Sequence, residues 1–336
     1  VTVVGPLGLS MQDQALDADV RDGMAAVEEA LAEATKSDVP FITVAAQHLL
    51  EAGGKRFRPL LTLLAAQFGD PGAPGVVPAA VVVELTHLAT LYHDDVMDEA
   101  PVRRGAPSAN ARWDNSVAIL TGDFLFSRAS RILADLGPDA VRVQAEAFER
   151  LVTGQILETA GPRPGDDPVR HYLDVLSGKT GALIAVSARL GAMLAGVDER
   201  TVEVLTEYGE RIGIAFQLAD DVLDIASDGH ESGKTPGTDL REGVPTLPVL
   251  LLRAMPVNPA DRDDVRLREL LDGDLCDDTR HAEALRLLRA HPALERAREE
   301  TMRYADEARD LLEQLPPSPS RTALEGLCDA VAVRTM

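Results

Sequence analysis

Two short acidic runs carry the chemistry this chain is best equipped to do. His93-Asp94-Asp95-Val96-Met97-Asp98 and Gln217-Leu218-Ala219-Asp220-Asp221-Val222-Leu223-Asp224 both contain Asp-Asp-x-x-Asp with apolar residues at x, and both follow a long apolar helical run. On an α-helix, residues i and i+4 share a face, so Asp94 projects beside Asp98 and Asp220 beside Asp224. Like charges at that spacing destabilise an isolated helix, and a divalent cation is the usual compensation. Hard oxygen ligands without cysteine, and without histidine at ligand spacing in both runs, favour magnesium over zinc or iron. Mg²⁺ binds through few carboxylates and completes its shell with phosphate oxygens and water, so the paired runs imply a phosphorylated substrate. A single run of this kind would read as a solvated acidic helix end; it is the repeat at the same spacing that points to metal. A di-iron carboxylate bundle would need Glu-x-x-His on two helices, and the chain has one, Glu84-Leu85-Thr86-His87.

A polyphosphate needs positive charge, which is scarce here: 33 Lys+Arg face 55 Asp+Glu, a formal net charge of −22. Only four of the basic residues are lysine, namely Lys36, Lys55, Lys179 and Lys234. Gly53-Gly54-Lys55-Arg56-Phe57-Arg58-Pro59 offers a flexible pair and three cations before a helix, whose first N–H groups would reinforce anion binding. Arg103-Arg104-Gly105 follows the first acidic run within a few residues. Gly178-Lys179-Thr180 and Gly233-Lys234-Thr235 resemble the end of a P-loop, but Leu173 and Asp228 stand where that motif needs its upstream glycine. Each spot alone reads as a turn or a solvated surface. Together they suggest two phosphate sites, one bridged by metal and one held by Lys and Arg.

The elements that must position these groups are helices. Aromatic content is 4% and alternating β-branched runs are scarce, whereas apolar residues recur at i, i+3, i+4 and i+7 over 16–36, 39–52, 78–99, 115–136, 140–159 and 201–227. Gly137-Pro138 is a helix stop signal directly after Leu136. The reading is an all-α, single-domain bundle of roughly a dozen helices over 16–336, after an N-terminal extension of 1–15. A Gly-rich segment, Gly229–Gly243, reads as mobile. A pI near 4.7 argues against nucleic-acid binding. Cys276 and Cys328 lack zinc spacing and cannot frame a disulfide scaffold, so a reducing, cytoplasmic setting is expected. No apolar window reads as a membrane span, no basic amphipathic helix as a stable membrane anchor, and the first residues show no basic n-region.

From Val39 to about Leu250 the chain resembles the trans-isoprenyl diphosphate synthases, or polyprenyl synthetases. The resemblance rests on Gly-Gly-Lys-Arg-x-Arg-Pro, both Asp-Asp-x-x-Asp runs, Arg103-Arg104-Gly105, Gly122-Asp123-x-Leu125-Phe126, Lys179-Thr180, Phe216-Gln217, Gly233-Lys234 and Thr246-Leu247-Pro248, in that order. It implies helices around a deep central cavity, with the two acidic runs facing each other at its mouth. It implies Mg²⁺, three ions, on Asp94, Asp95, Asp98, Asp220, Asp221 and Asp224. An allylic diphosphate would lie on those ions with Arg103, Lys179 and Lys234, and with Thr180 and Gln217 beside the reacting carbon. Isopentenyl diphosphate would be held by Lys55, Arg58, His87 and Arg104. A homodimer is the expected assembly, and His93 a local hydrogen-bond partner.

Breaking the allylic C–O bond leaves a carbon cation and gathers charge on the departing diphosphate, which metal ions and fixed cations stabilise. The isopentenyl double bond then attacks, and pyrophosphate suffices as base for the lost proton. Water must be excluded, because it would capture the cation, so Gly229–Gly243, carrying Lys234, is expected to close as a flap over bound diphosphate. Product length should depend on the helix before Asp94, where Thr90, Ala89 and, about another turn deeper, Thr86 stand, each turn adding about 5.4 Å. Short-chain members of the family often carry an aromatic at the Ala89 position; alanine here resembles long-chain members and implies a product longer than geranylgeranyl. A geranylgeranyl-length synthase and a subunit of a two-component synthase are the alternatives. A terpene cyclase would replace the second acidic run with an Asn/Ser/Glu pattern, which Asp220–Asp224 does not match. Two departures stand out: Val244 where a lysine is common, and Arg334 as the lone arginine of the last four residues.

Overall fold

The structure is a computed structural model and describes residues 11, 13–227 and 236–335. The helices run α1 (Gln14–Ala34), α2 (Pro40–Glu51), α3 (Phe57–Ala66) and α4 (Val76–Met97). A small hairpin, β1 (Val102–Arg103) and β2 (Ala106–Pro107), leads to α5 (Ala109–Arg112), α6 (Asn115–Leu136), α7 (Pro138–Ala160) and α8 (Pro168–Leu176). A π-helical turn, Ser177–Gly181, precedes α9 (Ala182–Leu194) and α10 (Glu199–Ala226). Then come α11 (Thr238–Glu242), α12 (Leu247–Ala254), α13 (Arg262–Leu271), α14 (Asp278–Ala290), α15 (Pro292–Leu312) and α16 (Pro319–Thr335). The all-α expectation holds, and the extra helices beyond a dozen are chiefly one- or two-turn segments such as α5 and α11. The helix ends follow local rules. Asp114 caps α6 by accepting from Val117 N–H at 2.8 Å. Gly137, at φ 102°, ends it and hands over to Pro138 at the start of α7.

The chain divides into two compact units. The first comprises Val1–Glu149, Ala182–Gly209 and Leu311–Leu327. Its axis is α4, apolar on nearly every side and packed among α1, α3, α6 and α9. α4 is long and apolar enough to cross a membrane, yet 67% of its most apolar window is buried inside the fold. Two close approaches fix its neighbours. A Cβ at Gly122 of α6 would collide with the His93 imidazole, and one at Gly191 of α9 with the Thr62 carbonyl of α3. The fully buried Tyr92 ties α4 to α2, its hydroxyl donating to Ala45 O at 2.5 Å and accepting from Leu49 N–H at 3.2 Å.

The second unit comprises Arg150–Gly181, Glu210–Asp310 and Cys328–Met336. Within it α12 packs on α8, α13 on α14, and α11 on α14. Here Gly154 and Gly178 let two backbones meet, since a Cβ on Gly154 would stand 2.6 Å from Lys179 N and one on Gly178 2.9 Å from Arg150 O.

Candidate active site

In the first unit, Asp94 and Asp95 occupy the last turn of α4 and Asp98 is its C-cap. Asp98 is exposed and Asp94 partly so, whereas Asp95 is fully buried. Arg103 Nε donates to Asp95 Oδ1 at 2.6 Å, and Arg103 Nη2 stands 3.9 Å from Asp98 Oδ2. Burial pushes the Asp95 carboxyl up, and the Arg103 hydrogen bond and charge only partly offset it. Arg103 reaches this place because the hairpin turns at Arg104 (φ 54°) and Gly105 (φ 77°), both left-handed. His48 braces the hairpin: its Nε2 donates to Pro107 O at 2.7 Å and its Nδ1 accepts from Arg112 at 2.8 Å. His93 is the local partner expected, bonded to Ile119 O at 3.0 Å.

Next to this run lies a cluster of cations. The loop between α2 and α3 takes left-handed or open conformations at Gly53 (φ 92°), Gly54 (φ 155°) and Arg56 (φ 48°). A Cβ on Gly54 would stand 2.7 Å from Arg56 Nη1 and 3.0 Å from Arg104 Cζ, so glycine is what lets the two guanidiniums close in. Arg104 Nη1 donates to Leu49 O at 2.9 Å and to Gly53 O, backbone carbonyls rather than carboxylates. Arg58 Nε is buried without a partner, and burial brings the guanidinium down to about 10. Burial, then Arg58, Arg104, Arg56 and Arg103, hold His87 well below its ordinary value, so its imidazole is neutral at pH 7. The buried counter-charge is Glu84, 3.2 Å from Arg56, with Glu28 pairing Arg56 from the surface at 2.5 Å. Such a surplus of desolvated positive charge, in a chain of net charge −22, is an anion site in chemical terms. Arg58, His87 and Arg104 are thus brought close together, with the exposed Lys55 in the α2–α3 loop. Arg56 and Glu84 carried no site role in the sequence reading; their signal was the second cation of the Gly-Gly-Lys-Arg-x-Arg-Pro motif and an acid three residues before His87.

The second run sits on α10 in the second unit. Asp221 is buried, and Tyr172 of α8 donates its hydroxyl to Asp221 Oδ2, with Gln217 and the Leu247 N–H as further partners. Burial pushes the Asp221 carboxyl up to about 7, and the Asp239 charge adds to it. Burial and then Asp221 raise the Tyr172 phenol well above its ordinary value. Asp224 accepts from Thr238 N–H at 3.2 Å and Asp239 N–H at 3.3 Å, capping α11. Asp220 pairs with Arg334 at 2.8 Å. Lys179 and Thr180 lie on the π-helical turn, a feature frequent at functional sites, and Lys179 pairs with Glu158 at 2.7 Å. Lys234, and the flap expected at Gly229–Gly243 as far as residue 235, lie outside the described residues.

The residues expected to set product length differ in access. Ala89 is fully buried, and Thr86 is buried with its hydroxyl donating to Val82 O and accepting from Gln144 of α7 at 3.0 Å. Thr90 keeps partial exposure.

These donor sets suit a divalent cation. Asp95 Oδ2 is buried without a hydrogen-bond partner, and both interior aspartates are pushed toward protonation until a cation joins them. Among the described residues no three His, Cys, Asp or Glu side chains converge to hold a metal alone. Phosphate oxygens and water would complete any shell, as suits Mg²⁺.

Residues 39–288 match the polyprenyl synthetase family. The chain belongs to that family. It is 49% identical to a nonaprenyl diphosphate synthase of Mycobacterium tuberculosis over 97% of each protein. It is 38% identical to heptaprenyl diphosphate synthase component 2 of Geobacillus stearothermophilus, over 94% of this chain and 97% of that one. A solved geranylgeranyl pyrophosphate synthase of Corynebacterium glutamicum, in complex with calcium and isoprenyl diphosphate, superimposes with a TM-score of 0.87 at 46% identity, covering 97% of this chain and 99% of that one. The polyprenyl synthetase resemblance and the prenyltransferase assignment both hold.

Proposed function

We propose that this chain condenses an allylic diphosphate with isopentenyl diphosphate, head to tail and in trans geometry, and releases a polyprenyl diphosphate longer than geranylgeranyl. The observation that carries this reading is the cation cluster of Arg56, Arg58, Arg103, Arg104 and neutral His87 around the buried Glu84. Its His87 lies seven residues before Asp94 on α4, about 10 Å along the helix axis, and its Arg103 reaches Asp95 directly. Lys55, Arg58 and Arg104 hold the isopentenyl diphosphate by charge. His87, being neutral, contributes an N–H donor. Arg103 binds the allylic diphosphate while keeping Asp95 in place, and Lys179 and Lys234 add charge to its departing oxygens.

Asp94, Asp95, Asp98, Asp220, Asp221 and Asp224 hold Mg²⁺, three ions in this proposal, which when bound supplies Lewis acidity toward the diphosphate. Thr180 and Gln217 orient the allylic carbon, and the apolar wall of α4 keeps water from the cation. The alkene of isopentenyl diphosphate attacks that cation, and released pyrophosphate takes the proton. Thr90, Ala89 and Thr86 set how far the tail extends. Residues 16–336 act as one catalytic domain after the extension 1–15, in the cytoplasm. The chain pairs as a homodimer through apolar side chains exposed on α2 and α6, among them Phe41, Val44 and Leu120.

Purified protein given farnesyl and isopentenyl diphosphates should yield elongated all-trans diphosphates with Mg²⁺ and none after chelation. A hydrocarbon or alcohol product would overturn the reading. Likeness to a heptaprenyl synthase component 2 favours a second reading, the catalytic half of a two-component synthase. Activity appearing only after a second chain is added would select it.

A further inference from the structure

Arg334, in the last turn of α16, lies against the second aspartate run within the same compact unit. Its Nη2 is 2.8 Å from Asp220 Oδ1, and its Cζ stands 5.0 Å from the centroid of the Phe216 ring. Phe216 and Asp220 are i and i+4 on α10, so one guanidinium spans one helical turn of the motif. Arg334 Nη1, by contrast, is buried without a hydrogen-bond partner. A guanidinium placed for permanent structure would satisfy both forks; this one is committed to Asp220 on one side only. The Asp220 side chain keeps 34% of its surface exposed, so an ion arriving from solvent can reach the same carboxylate. A guanidinium and a divalent ion cannot share that oxygen without repulsion.

We propose that Arg334 is the resident counter-cation of the second aspartate run, pairing with Asp220 until a divalent ion takes that carboxylate and then yielding it. The proposal rests on the metal-binding role assigned to Asp220 above. It makes Arg334 a positioning residue: it keeps Asp220 in a defined rotamer before loading, and it weakens metal binding by competing for the same oxygen.

The test is a Mn²⁺ titration of the full chain without substrate, followed by calorimetry or by the loss of free-ion magnetic resonance signal. Arg334→Gln should bind Mn²⁺ about two- to fivefold more tightly, the range that removing a partly exposed ion pair implies. Adding Arg334→Gln to Asp220→Asn should change nothing further. Backbone amides near residue 334 should exchange faster in the wild-type chain once Mn²⁺ is added. Arg321→Gln, which loses a Glu325 pair on the same helix, should leave Mn²⁺ affinity unchanged. Equal or weaker affinity in Arg334→Gln, or a matching gain in Arg321→Gln, overturns the inference while an active enzyme leaves the proposed function standing. A wild-type chain that neither binds Mn²⁺ nor elongates farnesyl diphosphate overturns both.

Discussion

The aspartate run on α4 and the one on α10 share a spacing and differ in what holds them. In each, the second aspartate is buried while the first and last keep exposure. Asp95 is held by a guanidinium from a hairpin, and Asp221 by a phenol, an amide and a backbone N–H. The first run closes its helix and stands beside a cation cluster. The second occupies the last two turns of its helix and caps the next with Asp224. The buried aspartate of the motif is therefore held by charge in the first run and by neutral donors in the second, where the guanidinium of Arg334 pairs instead with the more exposed Asp220. Burying a carboxylate is costly either way, so both runs stay poised for added positive charge, the second more strongly.

The comparison breaks most visibly if only one run matters. Asp94→Asn and Asp220→Asn should each lower kcat by about 10²–10³-fold, the usual loss when one stabiliser of developing charge is removed. Thermal melting should stay close to wild type, because neither side chain is buried. Near-normal turnover in either variant would reduce that run to a scaffold.

The partners of the buried aspartates sharpen the contrast. Arg103→Gln leaves Asp95 sealed without its cation and should destabilise the chain by about 2–3 kcal/mol, somewhat below the loss for a fully buried pair because Arg103 is 30% exposed. Tyr172→Phe removes one of three donors to Asp221 and should cost about 1 kcal/mol. Denaturant titration of both variants decides the order; a larger loss from Tyr172→Phe would refute the difference drawn between the runs.

Access along α4 grades the next effect. Thr90→Phe and Ala89→Phe should both shift products toward shorter chains, read by chromatography of the dephosphorylated alcohols. Ala89 has no exposed surface, so Ala89→Phe should also lose about 1–3 kcal/mol through overpacking. Thr90→Phe should melt close to wild type. An unchanged length distribution in Thr90→Phe would remove α4 from the control of product length.

Much of this was legible in the chain itself. The apolar period placed α4, α6, α7 and α10 to within about two residues, because long amphipathic or wholly buried helices impose their pattern on every turn. Both Asp-Asp-x-x-Asp runs and the Gly-Gly-Lys-Arg loop were readable because their chemistry is local. Tyr172 was not, since its contact with Asp221 spans 49 positions and a lone tyrosine carries no spacing signal. The Arg103 hairpin escaped as well: Arg104-Gly105 takes a turn usually written Asn-Gly or Asp-Gly. No local pattern marks His48 either, because its partner, Pro107 O, belongs to that hairpin. The π-helical turn under Lys179 depends on Gly154 and Gly178 meeting across two elements, which no single segment announces.

The smallest effect concerns the cation cluster beside the first run, which has no counterpart described in the second unit. His87 is held well below its ordinary value by burial and by Arg58, Arg104, Arg56 and Arg103. An unfolded histidine titrates near about 6.5, so between that value and the lower folded one the unfolded chain binds more protons. Stability must therefore fall as pH drops below about 6.5 and level off once pH is under the folded value. His87→Gln should flatten that slope in denaturant titrations between pH 7 and about pH 5. Imidazole resonances of the wild-type chain should report the depressed value directly. Isopentenyl diphosphate should raise it, because an anion among those guanidiniums cancels the charge that keeps the proton away. A His87 resonance that titrates normally, or that ignores the diphosphate, would detach this histidine from the anion site and leave the cation cluster to the arginines alone.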